Sequence, residues 1–210
     1  GVLVNQNIPY GIYASSAYVQ LSSVSVSTSG GLGIYTAGVR ISSQSLIAYS
    51  SVTVWNADAI WLDGSTMTVV YFSSASATRN ALYLSGGSSN TIQNATLRQN
   101  PYIHGSYAIK ISTSHYNRID LTSATAYAGM YLPGSSSNSI TNSVLRGNGL
   151  PATVAKNSSG ILFYNSSYNS VDLSTATGFF EGYYSSGTVY NTINRSYFQG
   201  GDGGAWLDAA

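Results

Sequence analysis

Cysteine is absent from the 210-residue sequence, so neither disulfides nor thiolate metal ligands contribute to the fold. Charge is also scarce: Asp, Glu, Lys and Arg make up 7% of the chain, against roughly 25% in typical soluble domains. The net charge of +1 gives no general attraction for nucleic acid. No apolar run reaches the roughly 18 residues of a membrane span. We therefore predict no nucleic-acid partner and no membrane insertion.

Hydroxyl and amide side chains stand where charges are missing, and the sequence contains 18 tyrosines. The first residues, GVLVNQNIPYG, lack the basic region of a signal peptide, so we expect any such peptide to have been removed. Four sequons for N-glycosylation are present, at Asn94, Asn157, Asn165 and Asn194. Together these features favour an extracellular or cell-surface location.

An internal repeat dominates the sequence. Each unit begins with a small residue and alternating apolar positions: ALYL at 81, AIKI at 108, GMYL at 129, GILF at 160 and GYYS at 182. An asparagine follows nine residues after each start, and Ile or Val follows two residues later. These asparagines are Asn90, Asn117, Asn138, Asn169 and Asn191. An earlier unit starts at Ala59 with Thr68 in place of Asn, and weaker units start at 11 and 38.

The unit length of 21 or 22 residues, made of short β-type segments, predicts a solenoid with about three strands per coil. We predict an all-β fold: a single-stranded right-handed parallel β-helix of about eight coils. One domain spans 1–210, with clear repeats over 59–203, weaker repeats over 11–58 and a partial coil over 204–210. The gapless similarity of HYNRIDLTSATA at 115 to SYNSVDLSTATG at 167 indicates that coils alternate in kind, in a two-coil repeat.

Stacking of coils about 4.8 Å apart gives the recurring asparagine a role. Each asparagine can bond its amide to the asparagines above and below, which forms a ladder. The following Ile or Val should point into the core. Insertions around 100–105 and 147–157 should leave the solenoid on one side.

The unit (Gly/Ala)-apolar-x-apolar-x-x-Ser-x-x-Asn-x-Ile resembles the parallel β-helix repeat of the pectate-lyase-like superfamily, especially its NosD-like branch. The resemblance implies the fold. It leaves the function open, because the superfamily includes polysaccharide lyases and hydrolases, epimerases, tailspikes, adhesins and archaeal surface proteins. The copper handling of the NosD branch is not carried over, because no Met- or His-rich site accompanies the repeat.

Two pairs of charged residues recur at equivalent repeat positions. Asp120 and Asp172 are two coils apart, about 9.6 Å at the spacing of strands, near the upper limit for inverting glycosidases. Arg98 and Arg146 share another position. We interpret both pairs as surface residues, the aspartates exposed and unpaired and the arginines at a corner. As the alternative, the four residues form a carbohydrate site.

Tyrosines recur on or near the first strand of the unit, where they could pack across strands, meet another subunit or stack on sugars. They are Tyr10, Tyr13, Tyr18, Tyr35, Tyr83, Tyr131, Tyr183 and Tyr184. The two histidines, His104 and His115, have no cysteine or clustered carboxylate beside them, so we predict no catalytic residue, no metal and no cofactor.

Our main functional prediction is an extracellular structural protein without catalytic activity, a self-assembling filament, sheath or adhesin subunit. Its partners would be copies of itself, in a homo-oligomer or polymer, and glycans. The sparse charge favours this interpretation, because Lys and Glu normally discourage edge-to-edge association of strands. The alternative is a carbohydrate-binding or carbohydrate-active β-helix of the lyase or hydrolase type.

Overall fold

The computed structural model describes residues 3–6, 10–15, 18–28, 37–99, 106–149 and 158–208. Tyr35, His104, Asn157 and most of the two insertions lie outside the described residues. The described part contains 26 strands and no α-helix. No helix there is long and apolar enough to cross a membrane.

Three parallel sheets run the length of the solenoid, and each coil contributes one strand to each sheet in turn. Sheet 1 contains β2 (Tyr10–Ala14), β5 (Ala37–Ile41), β8 (Asp58–Asp63), β11 (Leu82–Ser85), β14 (Tyr107–Ser112), β17 (Ala128–Pro133), β20 (Ile161–Tyr164), β23 (Glu181–Ser186) and β26 (Gly203–Asp208). Sheet 2 contains β3 (Val19–Ser22), β6 (Ser45–Ala48), β9 (Val69–Tyr71), β12 (Thr91–Gln93), β15 (Arg118–Asp120), β18 (Ser139–Thr141), β21 (Ser170–Asp172) and β24 (Thr192–Asn194). Sheet 3 contains β1 (Leu3–Gln6), β4 (Ser25–Thr28), β7 (Ser51–Val54), β10 (Ser74–Ala77), β13 (Thr96–Gln99), β16 (Ser123–Ala126), β19 (Val144–Gly147), β22 (Thr175–Gly178) and β25 (Tyr197–Gln199).

The predicted fold is confirmed: from β2 to β25 the chain completes eight coils, and β26 adds a ninth strand to sheet 1. The sequence alternates apolar and polar residues because one face of every strand lies inside the solenoid. On sheet 2 the inward column is in register from coil to coil, and all of its members but the last are fully buried. It consists of Val70, Ile92, Ile119, Ile140, Val171 and Ile193.

The small residue that opens each repeat unit is required by close contact between coils. A Cβ atom added to Gly129 would lie 2.5 Å from the carbonyl oxygen of Gly160, and one added to Gly160 would lie 2.7 Å from that of Gly182. Real Cβ atoms essentially never come this close to backbone atoms. Glycine at these positions therefore lets successive coils stack at strand spacing.

A single residue in the left-handed region turns the chain from sheet 2 to sheet 3 in every coil, with φ from 42° to 55°. Several are large and exposed, including Tyr49, Phe72, Leu121 and Leu173. The backbone of this turn is held by the next coil, since every one of these residues up to Leu173 donates its N–H to a carbonyl there, as Leu121 does to Thr141 at 3.2 Å.

The two insertions belong to the same edge of the solenoid. One joins β13 to β14 and the other joins β19 to β20, so both connect sheet 3 with sheet 1. Gly147, which the sequence analysis assigned to the second insertion, is the last residue of β19. This edge therefore borders the outward faces of sheets 1 and 3.

Candidate functional site

The five repeated asparagines occupy one column at the turn before sheet 2. The side-chain amide of each donates to the side-chain oxygen of the next, at 3.0 Å from Asn90 to Asn117, 2.9 Å from Asn117 to Asn138 and 3.1 Å from Asn138 to Asn169. The column continues from Asn169 to Asn191 at 3.2 Å. At the other end, the Asn90 oxygen accepts the backbone N–H of Thr68 at 2.9 Å. These residues hold coils together, and the four from Asn90 to Asn169 are buried, whereas Asn191 at the end of the column is half-buried.

Asp120 is neither exposed nor unpaired, contrary to the sequence-based interpretation. Its side chain is 6% exposed and forms an ion pair with Arg118 at 2.9 Å. The same carboxylate accepts hydrogen bonds from Thr141 Oγ1 at 2.8 Å and Asn142 Nδ2 at 3.0 Å. Burial alone would raise the pKa of Asp120, but the bonds from Asn142, Thr141 and Arg118 outweigh it and lower that pKa. Asp120 is thus a fixed anion that joins neighbouring coils, and it lacks the raised pKa that a general acid needs.

Asp172 lies two coils from Asp120 in the same column, with Thr141 between them. It too is paired, because Arg195 donates to both carboxylate oxygens at 3.1 and 2.6 Å. The hydrogen bond from Arg195 lowers the pKa of Asp172. The interpretation of Asp172 as unpaired is therefore wrong as well.

Arg98 and Arg146 share an outward column of sheet 3, separated by Thr125. Both lie within strands, β13 and β19, and not at a corner. The two aspartates belong to sheet 2. The structure therefore does not combine these four residues in one site.

The remaining predicted residues are scattered over the surface. His115 bonds Ser136 through Nδ1 at 2.8 Å. Of the sequons, Asn94 is half-buried, whereas Asn165 and Asn194 are exposed; their glycosylation stays a prediction. Within the described ranges, no group of three or more His, Cys, Asp or Glu residues is arranged to hold a metal ion.

A cleft that the sequence analysis missed lies on the outward face of sheet 1. Its volume is about 380 Å³, within the usual range of ligand pockets. The lining residues come from four neighbouring coils and from the turn before β11: Arg40, Trp61, Asp63, Arg79, Asn80, Tyr83, Ser85 and Lys110. We call this set the sheet 1 cleft.

A stack of cations and rings forms one wall of the sheet 1 cleft. The Arg40 guanidinium lies 4.2 Å from the centre of the Trp61 ring, and that ring stacks on Tyr83 with 5.6 Å between centroids. The Lys110 ammonium lies 5.0 Å from the centre of the Tyr83 ring. The faces of the Trp61 and Tyr83 rings are covered within the stack. The ring edges, the Tyr83 hydroxyl and the cations therefore face the cleft.

The positions in this stack share one place in the repeat, the unspecified residue of (Gly/Ala)-apolar-x-apolar. Strand register aligns Tyr13, Arg40, Trp61, Tyr83, Lys110 and Tyr131 in one column. The aromatic and cationic residues at this repeat position were the signal in the sequence that could have revealed the cleft. The predicted tyrosines divide accordingly: Tyr13, Tyr83, Tyr131 and Tyr184 are in this outward column, whereas Tyr183 is buried against Phe163.

Two carboxylates belong to the cleft and its border, and both already have partners. Asp63 pairs with Arg40, which also donates to the Tyr10 hydroxyl at 2.6 Å. Asp58 is buried, lies 3.5 Å from Arg79 and accepts bonds from the backbone and amide of Asn80 at 2.9 and 2.8 Å. Desolvation raises the pKa of Asp58 despite the opposing effects of Arg79 and Asn80.

Lys110 is the remaining cation of the cleft, besides Arg40 and Arg79. No described carboxylate lies within ion-pair distance of its ammonium group. The cleft and its border thus combine three cations, Arg40, Arg79 and Lys110, with two carboxylates. Asp58 and Asp63 are five residues apart on β8, which corresponds to about 16 Å. This exceeds the roughly 6.5–9.5 Å between the carboxyl groups of glycosidases, so the two do not form such a pair.

Known proteins with this architecture include tailspikes and polysaccharide-modifying enzymes. The Dettilon tailspike protein superposes with a TM-score of 0.63 at 11% identity, covering 99% of this chain and 52% of that one. The mannuronan C-5 epimerase AlgE4 A-module of Azotobacter vinelandii gives 0.56 at 12% identity, with 99% and 55% covered. The periplasmic alginate epimerase AlgG gives 0.54 at 13% identity, with 95% and 49% covered. The chain therefore spans about half the length of these structures.

These similarities establish the fold, and they change the functional expectation. The prediction that the chain is not an enzyme is contradicted, because structures with this fold include the two epimerases and a pectate lyase. The alternative, a carbohydrate-binding or carbohydrate-active β-helix, is better supported than a structural subunit.

No curated protein sequence matches the chain. The profile of the family described as "Right handed beta helix region" matches residues 80–209, more than half of the sequence. The chain belongs to this right-handed β-helix family.

Proposed function

We propose that this chain is a carbohydrate-active β-helix that binds an acidic polysaccharide in the sheet 1 cleft. The observation that carries the proposal is the unmatched positive charge of Lys110 in a cleft whose other cations are already paired. A carboxylate on the ligand would complete the charge balance. Charge-assisted hydrogen bonds of this kind are about twice as strong as neutral ones.

The shape of the cleft also suits a polymer. It crosses four coils along the solenoid axis, and the column of sheet 1 that forms its wall continues beyond it to Tyr13 and Tyr131. Asn80 and Ser85 add short polar groups along the same wall. A repeating sugar chain lying parallel to the axis would meet a polar contact at each coil, about 4.8 Å apart.

Proton transfer next to the sugar carboxylate is the reaction class that this cleft could support. A cation held against a carboxylate stabilises the negative charge that develops when the neighbouring carbon loses its proton. Lys110 would supply that stabilisation. The proton removed from that carbon would pass to solvent in the open cleft, and the Tyr83 hydroxyl in the same wall would return a proton to the carbon, its own proton being replaced from solvent. The epimerase neighbours motivate this extension of the binding proposal.

An extracytoplasmic location follows from the same proposal, because long polysaccharides occur at and outside the cell surface. AlgG is described as periplasmic, and the Dettilon protein is a tailspike. The scarcity of charge favours self-association, and in this proposal the chain binds its ligand as an oligomer. Analytical ultracentrifugation of the chain tests whether it self-associates.

The test is a calorimetric titration with alginate oligosaccharides and with uncharged cello-oligosaccharides of the same length. We expect the acidic sugar to bind and the neutral sugar to bind much more weakly. Lys110→Gln should weaken acidic-sugar binding about tenfold or more, the effect of losing one hydrogen bond to a charged group. Product analysis of the same mixtures by NMR reports epimerised or unsaturated uronate residues.

Arg146→Gln is the matched control. It removes one positive charge from an exposed position on sheet 3 and should leave binding unchanged. Equal affinity for acidic and neutral sugars would refute the charge argument. So would equal losses in Lys110→Gln and Arg146→Gln, because the effect would then reflect only net charge.

A further inference from the structure

A second groove lies on sheet 3, beside its edge with sheet 1, and it differs in chemistry from the sheet 1 cleft. Its volume is about 390 Å³. One side is a column of outward side chains in register over four coils: Ser27, Thr53, Ser76 and Arg98. Three coil spacings of about 4.8 Å make this column roughly 14 Å long. We call this site the sheet 3 groove.

The floor of the sheet 3 groove is fixed by buried polar contacts. Gln99 is 3% exposed; its amide donates to the Thr78 carbonyl at 3.0 Å, and its oxygen accepts the backbone N–H of Tyr127 at 2.9 Å. The Thr78 hydroxyl accepts the backbone N–H of Asn56 at 2.6 Å. Gln99 thus ties three successive coils together under the groove. The turn that carries Trp55 is held to the same floor through Asn56.

Trp55 presents the groove with an open aromatic surface. It directly follows β7, and 60% of it is exposed. Trp61, in contrast, is 5% exposed and packed between Arg40 and Tyr83. The exposed ring of Trp55 offers an apolar face for stacking.

Arg98 completes the groove with a cation. No described carboxylate lies within ion-pair distance of it. Thr125 and Arg146 follow Arg98 in the same column but do not line the groove. An exposed ring, a row of hydroxyls and an unmatched guanidinium are therefore combined at one place.

From this combination we infer a second saccharide-binding site, in which a pyranose ring stacks on Trp55 and its carboxylate is bound by Arg98. The apolar face of a sugar ring matches the indole, and its hydroxyls match the Ser27, Thr53 and Ser76 column. A planar guanidinium binds a carboxylate through two parallel hydrogen bonds. The site is on a different sheet from the sheet 1 cleft and does not depend on it.

The three tryptophans of the chain make the two sites separately observable. Trp55 reports the sheet 3 groove, Trp61 reports the sheet 1 cleft, and Trp206 lies on β26, away from both. We would titrate the ¹⁵N-labelled chain with alginate oligosaccharides and follow the indole N–H signals by NMR. Single Trp→Phe variants assign the signals.

We expect the Trp55 signal to move on titration. Arg98→Gln should raise the dissociation constant read from Trp55 at least about fivefold, whereas Arg146→Gln should not change it. Lys110→Gln should weaken the response of Trp61 and leave that of Trp55 intact. A moving Trp55 with a silent Trp61 would support this site and overturn the proposed function of the sheet 1 cleft.

Three results would overturn the second site. The first is a Trp55 signal that does not move. The second is a Trp55 response that Arg98→Gln and Arg146→Gln reduce equally, which would reflect net charge alone. The third is a Trp55 response that disappears in Lys110→Gln together with that of Trp61, because the two tryptophans would then report a single site.

Discussion

Removing one asparagine from the middle of the ladder should destabilise the solenoid severely. Asn138 is 1% exposed. Its amide donates to Asn169 Oδ1 and to the Ser114 carbonyl, both at 3.1 Å. Its oxygen accepts the backbone N–H and the amide of Asn117 at 3.0 and 2.9 Å. Asn138→Ala deletes all four bonds and adds no replacement group.

The cost follows from the groups left without partners. Asn169 Oδ1 keeps the backbone N–H of residue 138 at 3.0 Å. Two donors on Asn117 and the carbonyl of Ser114 lose theirs in a buried place. At about 1–2 kcal/mol for each such group, the free energy of unfolding should fall by about 3–5 kcal/mol. This is a large part of the roughly 5–15 kcal/mol of a typical domain.

Urea unfolding followed by circular dichroism measures this loss. Asn148→Ala is the matched control, because Asn148 is exposed and its backbone bond to Ala126 is unaffected. We expect the control to change the unfolding free energy by less than about 0.5 kcal/mol. A loss for Asn138→Ala within about 1 kcal/mol of the control would refute the reasoning, because the ladder would then contribute little.

Three further predictions concern buried carboxylates and stacked glycines. Burial raises the pKa of Asp58. The contribution of Asp58 to stability therefore becomes unfavourable as pH rises from its unfolded pKa near 3.9 through its higher folded pKa. Asp58→Asn should flatten the pH dependence of the urea midpoint. The pKa of Asp120 is lowered, so its stabilisation is present above the unfolded value and is lost as pH falls through the folded one. Asp120→Asn should cost about 1–2 kcal/mol at pH 7 and less at each step as the pH of the same urea series is lowered below about 3.9. Gly160→Ala should sharply reduce the yield of folded protein on size-exclusion chromatography, because the new Cβ would lie 2.7 Å from the Gly182 carbonyl oxygen. Gly203→Ala should not reduce it, because a Cβ added there meets no atom within 4 Å.

The architecture was readable from the sequence because the repeat is enforced in every coil. Asn90, Asn117 and Asn138 recur since each must bond the next, and the short side-chain amide supplies both the donor and the acceptor at this reach. The serine columns follow the same rule: Ser135 accepts the backbone N–H of Ser114 at 3.2 Å and Ser166 accepts that of Ser135 at 2.9 Å. A contact that is repeated in every coil requires the same residue at the same position of each repeat unit, so it appears in the sequence as a period.

The candidate sites were not readable in that way, because they depend on residues that differ from coil to coil. Arg40, Trp61 and Lys110 occupy the one strand position that the repeat leaves unspecified. The partner of Asp120 at Asn142 comes from the turn of the next coil, and Arg195 reaches Asp172 in the same manner. Contacts between coils, invisible along a single repeat unit, supply the ion pair of Asp172 and two of the three bonds to Asp120, whereas Arg118 pairs with Asp120 within one strand.

A crystal structure of the chain with a bound alginate oligosaccharide tests the central claim most directly. The proposed function predicts electron density for sugar rings along the outward face of sheet 1, with a sugar carboxylate within hydrogen-bond distance of Lys110 Nζ and contacts to Tyr83. Density confined to sheet 2 or to the end of the solenoid near β26, or a cleft that stays empty when oligosaccharide is bound elsewhere, would contradict it.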